Sequence, residues 1–414
     1  MAAYRRWIGA GLAVGIIAAL MPLMNGSVGE LDLKSSLKKL QEPTRETRRL
    51  PDLDGLDLTR LKLHPERVTT PLKGGRVAEL TLDSEVQRAA QKVMRRYSVP
   101  EAGVVLMDVS TGELVAYASQ VLNGDSFDVN VRAEAPAASV FKIVTGAALV
   151  EQAQLTAKTE QCYHGGRSRI MPDELIDDPK RDKWCTSLAM AMGRSINVVF
   201  ARLAKKHLTP ESLTAVGGAL GFGAPVPFAA DNEPSTIELP EDPVEFARSA
   251  AGFWHTSLSP LAGASLAQTI ANKGITLEPR IVSAVLKGNE KVWEEDRDPN
   301  VLRRAVKPET AKEVTRMMIQ TVASGSAFKA FHDGKRRPFL PGMQIAGKTG
   351  TLTRHKANRH YTWFVGFAPA HDPEVAVSAL VVNTPIWRIK AHQLAREVLR
   401  AYFAKQGRRG VTRP

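Results

Sequence analysis

The strongest constraint on the fold is the placement of four apolar, β-rich runs, which form two pairs near opposite ends of the chain. Residues 102–109 and 114–119 are separated by a short polar turn, and residues 361–368 and 375–383 are separated by another. Two such runs joined by a short turn predict a β-hairpin. A lone hairpin cannot bury its apolar face, so hairpins from both ends are expected to join in one antiparallel sheet.

Helical periodicity flanks and separates these hairpins. Asp83 is a plausible helix N-cap, and apolar residues recur at helical spacing from there to Tyr97. Residues 389–405 have the same amphipathic spacing after the second hairpin. Between the hairpins we predict a Gly- and Pro-rich loop at 217–243 and helices at 139–152, 187–206, 259–273 and 308–323. The expected fold class is α/β: an antiparallel sheet flanked by the N- and C-terminal helices, with an inserted all-helical subdomain.

The first residues predict an export signal that stays in the membrane. Arg5 and Arg6 precede an uncharged apolar run at residues 7–24. A helix of about 18 residues spans about 27 Å, enough to cross a bilayer, and its positive flank keeps the N-terminus cytoplasmic. A cleaved signal peptide is the alternative, but no small-x-small cleavage site follows the run. We therefore expect a single-pass anchor in the inner (cytoplasmic) membrane, with the rest of the chain in the periplasm.

These features divide the chain into four segments. Residues 1–26 are the expected cytoplasmic tip and transmembrane anchor. Residues 27–76 are charged and contain four prolines, which predicts a stalk or linker. Residues 77–405 form the expected compact domain, and residues 406–414 form a basic, flexible tail.

The formal net charge of +13 suggests an anionic partner, such as a nucleic acid, a membrane or a cell-envelope polymer. Basic residues cluster at 44–49 and 407–410, but no aromatic residues alternate with them. Because single-stranded nucleic acids need aromatic stacking platforms beside the cations, we expect no nucleic-acid partner.

The chain has two cysteines, Cys162 and Cys185. In an oxidising compartment a pair this close in sequence can form a disulfide, and closing a loop of about 23 residues stabilises the fold by about 3 kcal/mol. Two unpaired thiols are the alternative. A metal site at Cys162, His164 and Cys185 lacks a convincing fourth ligand, and we expect neither a metal nor another cofactor.

Two short motifs place nucleophilic and basic groups together. Ser139 and Lys142 are three residues apart in a predicted helix, so they share one face. A serine hydroxyl needs an adjacent base to act as a nucleophile, and a desolvated lysine near other cations can lose its proton and serve as that base. Ser195 and Asn197, inside the helix predicted at 187–206, can relay a proton and hold a substrate amide.

A third motif, Lys348-Thr349-Gly350-Thr351, is suited to binding a substrate. Glycine lets a strand approach a ligand closely, and the lysine supplies a positive charge for a carboxylate. The backbone N–H that follows the glycine can contribute to an oxyanion hole.

In this order, the three motifs match the signature of penicillin-binding proteins and related β-lactamases. The sequence from 77 to 405 resembles the transpeptidase domain of penicillin-binding proteins. The similar stretches lie at 81–83 with Gln87, 103–119, 259–261, 271–274, 346–351 and 363–369.

The resemblance implies a role for each motif residue. It implies that Ser139 attacks the D-Ala-D-Ala carbonyl of a peptidoglycan stem peptide, that Lys142 takes its proton, and that Ser195 relays a proton to the leaving amine. Asn197 is expected to orient Lys142 or the substrate amide. Lys348 and Thr349 are expected to bind the terminal carboxylate, and the N–H groups of Ser139 and Thr351 to form the oxyanion hole. The acyl group then passes to an amine of a neighbouring stem, and β-lactams are expected covalent inhibitors.

Other functions remain open at this point. No glycosyltransferase domain precedes residue 77, so a separate glycan polymerase in the membrane is an expected partner. A D,D-carboxypeptidase, a serine β-lactamase or a β-lactam sensor would share the motifs and differ in what attacks the acyl-enzyme. Residues 342–349 also match the Walker A pattern of a P-loop NTPase, but no helical pattern follows Lys348.

Overall fold

The computed structural model describes residues 51–166, 169–296 and 298–411. The strands are β1 (Lys62–Leu63), β2 (Val68–Pro71), β3 (Arg76–Leu80), β4 (Glu101–Asp108), β5 (Leu114–Val121), β6 (Glu160–Tyr163), β7 (Trp184–Ser187), β8 (Ile275–Leu277), β9 (Val282–Lys287), β10 (Glu290–Glu294), β11 (Val301–Arg304), β12 (Ala346–Arg354), β13 (Arg359–Ala368) and β14 (Val375–Asn383). The α-helices are α1 (Ser84–Arg96), α2 (Lys142–Ala153), α3 (Leu188–Arg194), α4 (Asn197–His207), α5 (Pro210–Ala219), α6 (Pro243–Ala250), α7 (Pro260–Ala271), α8 (Pro308–Ala323), α9 (Phe328–Phe331) and α10 (Ala391–Val411).

The main sheet joins both ends of the domain, which confirms the prediction from the hairpins. Its strand order is β12-β13-β14-β4-β5, and every neighbouring pair is antiparallel. The central pair, β14 and β4, aligns Val377 with Leu106 across about 270 residues of chain. Strand β12, which carries the third motif, lies at one edge of this sheet.

Helices cover both faces of the main sheet. The terminal helices α1 and α10 share an apolar cluster with one face, through residues such as Val86 and Leu394. Asp83 caps α1 as predicted, because its side chain accepts hydrogen bonds from the backbone of Glu85 and Val86. Helix α7 packs against the opposite face, where Gly263 lies so close that a Cβ there would be 2.4 Å from Ser378 Oγ. The inserted helices lie beyond α7 in the second apolar cluster.

The boundaries predicted for the compact domain shift outward at both ends. Strand β2 pairs with β3, and β3 pairs with β9, in a second sheet ordered β1-β2-β3-β9-β10. The boundary predicted between residues 76 and 77 therefore falls inside this sheet, and the compact unit begins at Pro51. The boundary predicted after residue 405 falls inside α10, which continues to Val411.

Several inserted elements also differ from the sequence predictions, and the insertion is not all-helical, because β6 pairs with β7 and β8 pairs with β11. The helix predicted at 187–206 is broken into α3 and α4, with left-handed backbone at Ser195 (φ 57°). The loop predicted at 217–243 begins only after α5 and ends at α6. Helix α8 has the predicted bounds, and α7 lies within the predicted range.

The predicted anchor at residues 1–26 lies outside the described residues. No helix in the described part of the chain is both long and apolar enough to cross a membrane. Cys162 and Cys185 face each other in the β6–β7 hairpin and are joined by a disulfide, as predicted.

Candidate active site

Ser139 lies in a tight turn that delivers it to the start of α2. The turn is a 3-10 helix, Ala138–Phe141, and Ala138 has left-handed backbone (φ 49°). A non-glycine residue in this region is uncommon and is often found at functional sites. The neighbouring side chains of Val140 and Phe141 are fully buried and fix the turn, while Ser139 itself is partly exposed. The nucleophile is therefore rigid and reachable.

Lys142 lies beside this serine, as its spacing predicts. Its Nζ donates hydrogen bonds to Ser139 Oγ at 3.0 Å and to Asn197 Oδ1 at 2.7 Å, and also to the carbonyl oxygen of Ala251. The side chain is fully buried. Burial, and then the charge of Lys348, lower the pKa of Lys142 well below its ordinary value. Lys142 is thus suited to accept the Ser139 proton.

The second motif is held at the break between two helices, and not inside one helix as predicted. Ser195 follows the last residue of α3, and Asn197 is the first residue of α4. The left-handed backbone of Ser195, followed by the extended Ile196, changes the chain direction, so that Asn197 reaches Lys142 and the Ser195 hydroxyl reaches Lys348. In a continuous helix, residues two positions apart point about 200° apart around the axis, so these two side chains would lie on opposite faces.

The third motif lies on the edge strand β12. Lys348 is fully buried, and its Nζ donates to Ser195 Oγ at 2.9 Å and to the Thr349 carbonyl oxygen at 2.9 Å. Burial lowers the pKa of Lys348 to about 7. Thr351 is exposed at the mouth of the site. All the predicted motif residues are thus carried by the elements that meet at this edge of the sheet.

Gly350 allows β12 to approach the nucleophile turn. A Cβ at this position would be 3.2 Å from the Ala137 carbonyl oxygen and 3.3 Å from Ala138 Cβ. Opposite Gly350 on β13, the Trp363 indole donates to the carbonyl oxygen of Pro136 at 2.9 Å. Because Gly350 has no side chain, the backbones of β12 and the nucleophile turn can approach closely. This role is additional to the predicted one of admitting a ligand.

Sequence reasoning missed two groups in the site. Gly252 follows Ala251, the residue that accepts from Lys142, and has φ 89°. A Cβ on Gly252 would be 2.4 Å from the Ala138 carbonyl oxygen and 2.9 Å from Ser139 Cα. Ser326 lies 2.6 Å, Oγ to Oγ1, from Thr349. The position of Gly252, two residues after the end of α6, was the one sequence signal for this glycine. No local sequence feature marked Ser326.

The structure excludes the Walker A interpretation of residues 342–349. A P-loop requires a helix that begins at the lysine. Lys348 is instead inside β12, which continues as a strand to Arg354. The NTPase alternative is therefore wrong.

The fold and the paired serine and lysine define a serine acyltransferase type of site, and comparisons with known proteins agree. Residues 102–403 match the penicillin binding protein transpeptidase domain family. The peptidoglycan D,D-transpeptidase PbpA of Mycobacterium tuberculosis is 30% identical over 351 residues, covering 75% of this chain and 68% of that protein. Stage V sporulation protein D of Bacillus subtilis is 26% identical over 337 residues, covering 76% of this chain and 51% of that protein.

Solved structures show the same fold. The D,D-transpeptidase domain of a peptidoglycan glycosyltransferase from Eggerthella lenta aligns with a TM-score of 0.66 and 26% identity, covering 82% of this chain and 86% of that one. The imipenem acyl-enzyme complex of penicillin-binding protein A from M. tuberculosis aligns with a TM-score of 0.63 and 25% identity, covering 79% of each chain. This chain belongs to the penicillin-binding protein transpeptidase family.

Proposed function

We propose that this protein is a penicillin-binding D,D-transpeptidase that crosslinks peptidoglycan stem peptides through an acyl-enzyme at Ser139. The observation that carries the proposal is the 3.0 Å hydrogen bond between Lys142 Nζ and Ser139 Oγ inside a site where burial and a second lysine favour the neutral amine. The relatives named D,D-transpeptidase and the acyl-enzyme complexes of the structural neighbours support the same reaction.

The reaction has two acyl transfers. Ser139 Oγ attacks the carbonyl carbon of the penultimate D-Ala while its proton passes to Lys142. The tetrahedral intermediate collapses, the bond to the terminal D-Ala breaks, and Ser195 relays a proton to the leaving amine. An amine of a neighbouring stem then attacks the ester, forms the crosslinking amide and returns Ser139 to its free hydroxyl.

The other motif residues bind the substrate in this mechanism. Lys348 and Thr349 hold the terminal carboxylate, since a buried ammonium beside a hydroxyl is a strong site for an anion. The N–H groups of Ser139 and Thr351 stabilise the oxyanion. Asn197 holds the Lys142 amine against the serine.

A serine β-lactamase needs an additional base that activates water against the acyl-enzyme. In the described part of the chain, the hydrogen bonds of Ser139, Lys142, Ser195, Asn197 and Lys348 involve no carboxylate. This favours a long-lived penicilloyl-enzyme over rapid β-lactam hydrolysis, and the acceptor assay separates a transpeptidase from a carboxypeptidase.

The cellular setting is also part of the proposal. The sequence of residues 1–26 supports a single-pass anchor in the inner membrane, and the disulfide suits an oxidising periplasm. A separate membrane-bound glycan polymerase would supply the strands to be crosslinked. Cell fractionation, with protease added outside the inner membrane, tests the location: the domain should be membrane-bound and cleaved in spheroplasts.

The function is tested with a pentapeptide donor and an amine acceptor, with products identified by mass spectrometry. We expect an amide-linked product that depends on the acceptor and on Ser139. A trimmed tetrapeptide in the presence of acceptor would indicate a carboxypeptidase, and rapid, repeated penicillin hydrolysis would indicate a β-lactamase.

A further inference from the structure

A segment of the chain that is closed by a disulfide lies directly before the second motif. This bridged segment is residues 160–187, from the start of β6 to the end of β7, and Cys162–Cys185 closes it. Strand β7 is followed at once by α3, whose N-cap is Ser187, with its Oγ accepting from Met190 N at 3.2 Å. Because α3 has only two turns and ends at Ser195, we expect a displacement of β7 to shift α3 and, with it, the Ser195 hydroxyl.

The same segment also contacts α4, which begins at Asn197. Val198, Arg202 and Lys206 lie four residues apart and so share one face of α4. A Cβ at Gly166 would be 2.3 Å from Val198 Cβ, so the backbone of the bridged segment rests directly on the first turn. At the far end, Lys206 Nζ lies 2.9 Å from Gln161 Oε1.

Arg202 is the centre of this contact and is fully buried. Its guanidinium donates to the Cys162 carbonyl oxygen at 3.0 Å and to the Glu174 carbonyl oxygen at 2.6 Å. It also makes a two-pronged ion pair with Asp182, at 2.7 and 3.0 Å. The Arg202 hydrogen bonds hold the pKa of Asp182 well below its usual range. A fixed guanidinium fork therefore fastens α4 to both arms of the bridged segment.

A second face of α4, about 100° around the helix from the first, is turned toward the active site. Asn197 Oδ1 accepts from Lys142 Nζ at 2.7 Å, and Ala201, one turn later, is fully buried where α4 packs on α2. Helix α4 is thus held between the helix of the catalytic lysine and the bridged segment. A shift of α4 toward the bridged segment would lengthen the Lys142–Asn197 hydrogen bond.

We propose that Arg202 and the Cys162–Cys185 bridge position Ser195 and Asn197 for acylation, so that reduction of the bridge slows the reaction at Ser139. This inference rests on the proposed function. Arg202 is a positioning residue, because it touches neither the substrate nor the reacting atoms. Its Cys162 acceptor is held in place by the bond to Cys185, which couples the redox state of the bridge to α4.

The bridge is open to a reductant. Cys185 lies in the exposed half of β7. A dithiol such as dithiothreitol attacks one sulfur as a thiolate, a mixed disulfide forms, and the second thiol closes on it. Overall the dithiol becomes a cyclic disulfide, and its two electrons and two protons give two cysteine thiols.

The test measures covalent labelling by a fluorescent penicillin, with the acylation rate constant separated from the binding constant of the noncovalent complex. Wild type is measured oxidised, reduced with dithiothreitol and reoxidised, well below its unfolding temperature. The variants are Cys162→Ser/Cys185→Ser, Arg202→Lys and, as a matched control, Lys205→Met. Lys205 is exposed on α4 next to the contacting face and makes no described contact with the bridged segment.

We expect reduction and the double serine variant to lower the acylation rate constant about tenfold to a hundredfold, with binding changed less than twofold, because small misplacements near reacting groups cost that much. Reoxidation restores wild type, dithiothreitol does not affect the double serine variant, and Lys205→Met behaves like wild type. Arg202→Lys keeps the positive charge but cannot make the two-pronged ion pair with Asp182, so we expect it to lower the acylation rate constant. If Arg202→Lys does not fold, the disulfide measurements decide.

A second measurement separates positioning from general loss of structure. In an Asn197→Ala background, reduction should have a smaller further effect than in wild type, because one of the two positioned groups is gone. An unchanged acylation rate in fully reduced wild type would overturn the inference. So would independent effects, in which the loss in reduced Asn197→Ala equals the product of the loss on reduction and the loss in the variant. If oxidised wild type is not labelled at all, the proposed function fails instead.

Discussion

Lys348 Nζ donates to Ser195 Oγ at 2.9 Å across 153 positions of the chain. Lys142 makes the equivalent link to Asn197, two residues further on. The break between α3 and α4 therefore places Ser195 beside Lys348 and Asn197 beside Lys142. Both lysines are fully buried, and burial lowers the pKa of each; the charge of Lys348 lowers the pKa of Lys142 further. These two lowered pKa values set the expected pH dependence.

Acylation by the free enzyme is expected to have a bell-shaped pH profile. The rate rises with pH as Lys142 loses its proton, at a pH far below its ordinary pKa of 10.5. It falls as the pH rises through the pKa of Lys348, about 7, because neutral Lys348 no longer attracts a carboxylate. The measurement is the second-order acylation constant against pH.

Lys348→Met provides the control for this assignment. Removing the positive charge raises the pKa of Lys142, so the ascending limb should move to higher pH and the descending limb should disappear. A variant that keeps the wild-type profile would show that other groups titrate.

Lys142→Met should slow acylation by about 10²–10⁴-fold, the usual contribution of a general base. The fold should survive, because a similar-sized apolar side chain replaces a buried lysine whose charged form is disfavoured. Stopped-flow labelling measures the rate, and Lys205→Met, an exposed lysine on α4, is the matched control. Equal rates for the two variants would argue against Lys142 as the base.

Gly252→Ala should disrupt the site although no motif residue is replaced. The new methyl group would be 2.4 Å from the Ala138 carbonyl oxygen, and φ 89° is strained for alanine. The nucleophile turn must move, so acylation should fall about a hundredfold. Gly218→Ala is the control, since a Cβ there meets nothing within 4 Å in helix α5. Wild-type acylation by Gly252→Ala would mean that the turn adapts freely.

Ser326→Ala should weaken carboxylate binding while leaving the chemical step intact. Its hydroxyl holds the Thr349 hydroxyl at 2.6 Å, and one hydrogen bond contributes about 0.5–1.5 kcal/mol, which is roughly two- to thirteenfold in the binding constant. Ser324→Ala, which loses only long contacts of 3.4 Å to Gln320 Oε1 and 3.9 Å to Met190 Sδ, should behave like wild type. A lower acylation rate constant with unchanged binding would assign Ser326 a different role.

Four strands of the main sheet were predictable because they are local apolar runs joined by short turns, whereas the edge strand β12, which carries the third motif, is not such a run. The second sheet was not predictable, since β3 pairs with β9 about 200 residues away and β1 and β10 are short and exposed. Pairing of this kind depends on tertiary packing that no local pattern encodes.

The identity of the site residues was predictable from the motifs, but their arrangement was not. Nothing between Leu188 and His207 marks Ser195 as a helix break, because serine rarely adopts the left-handed conformation by itself. The contacts of Gly252 and Ser326 join segments that are distant in sequence. The disulfide was predicted, whereas its connection to Asn197 through Arg202 needed the structure.

The proposed mechanism depends most on Ser139 as the nucleophile. Intact-mass spectrometry after incubation with benzylpenicillin, followed by peptide mapping, tests it directly, with thermal unfolding to check that Ser139→Ala folds. We predict one stable penicilloyl group on wild type, located at Ser139, and none on Ser139→Ala. An adduct that persists on folded Ser139→Ala, or that maps to another residue of wild type, would contradict it.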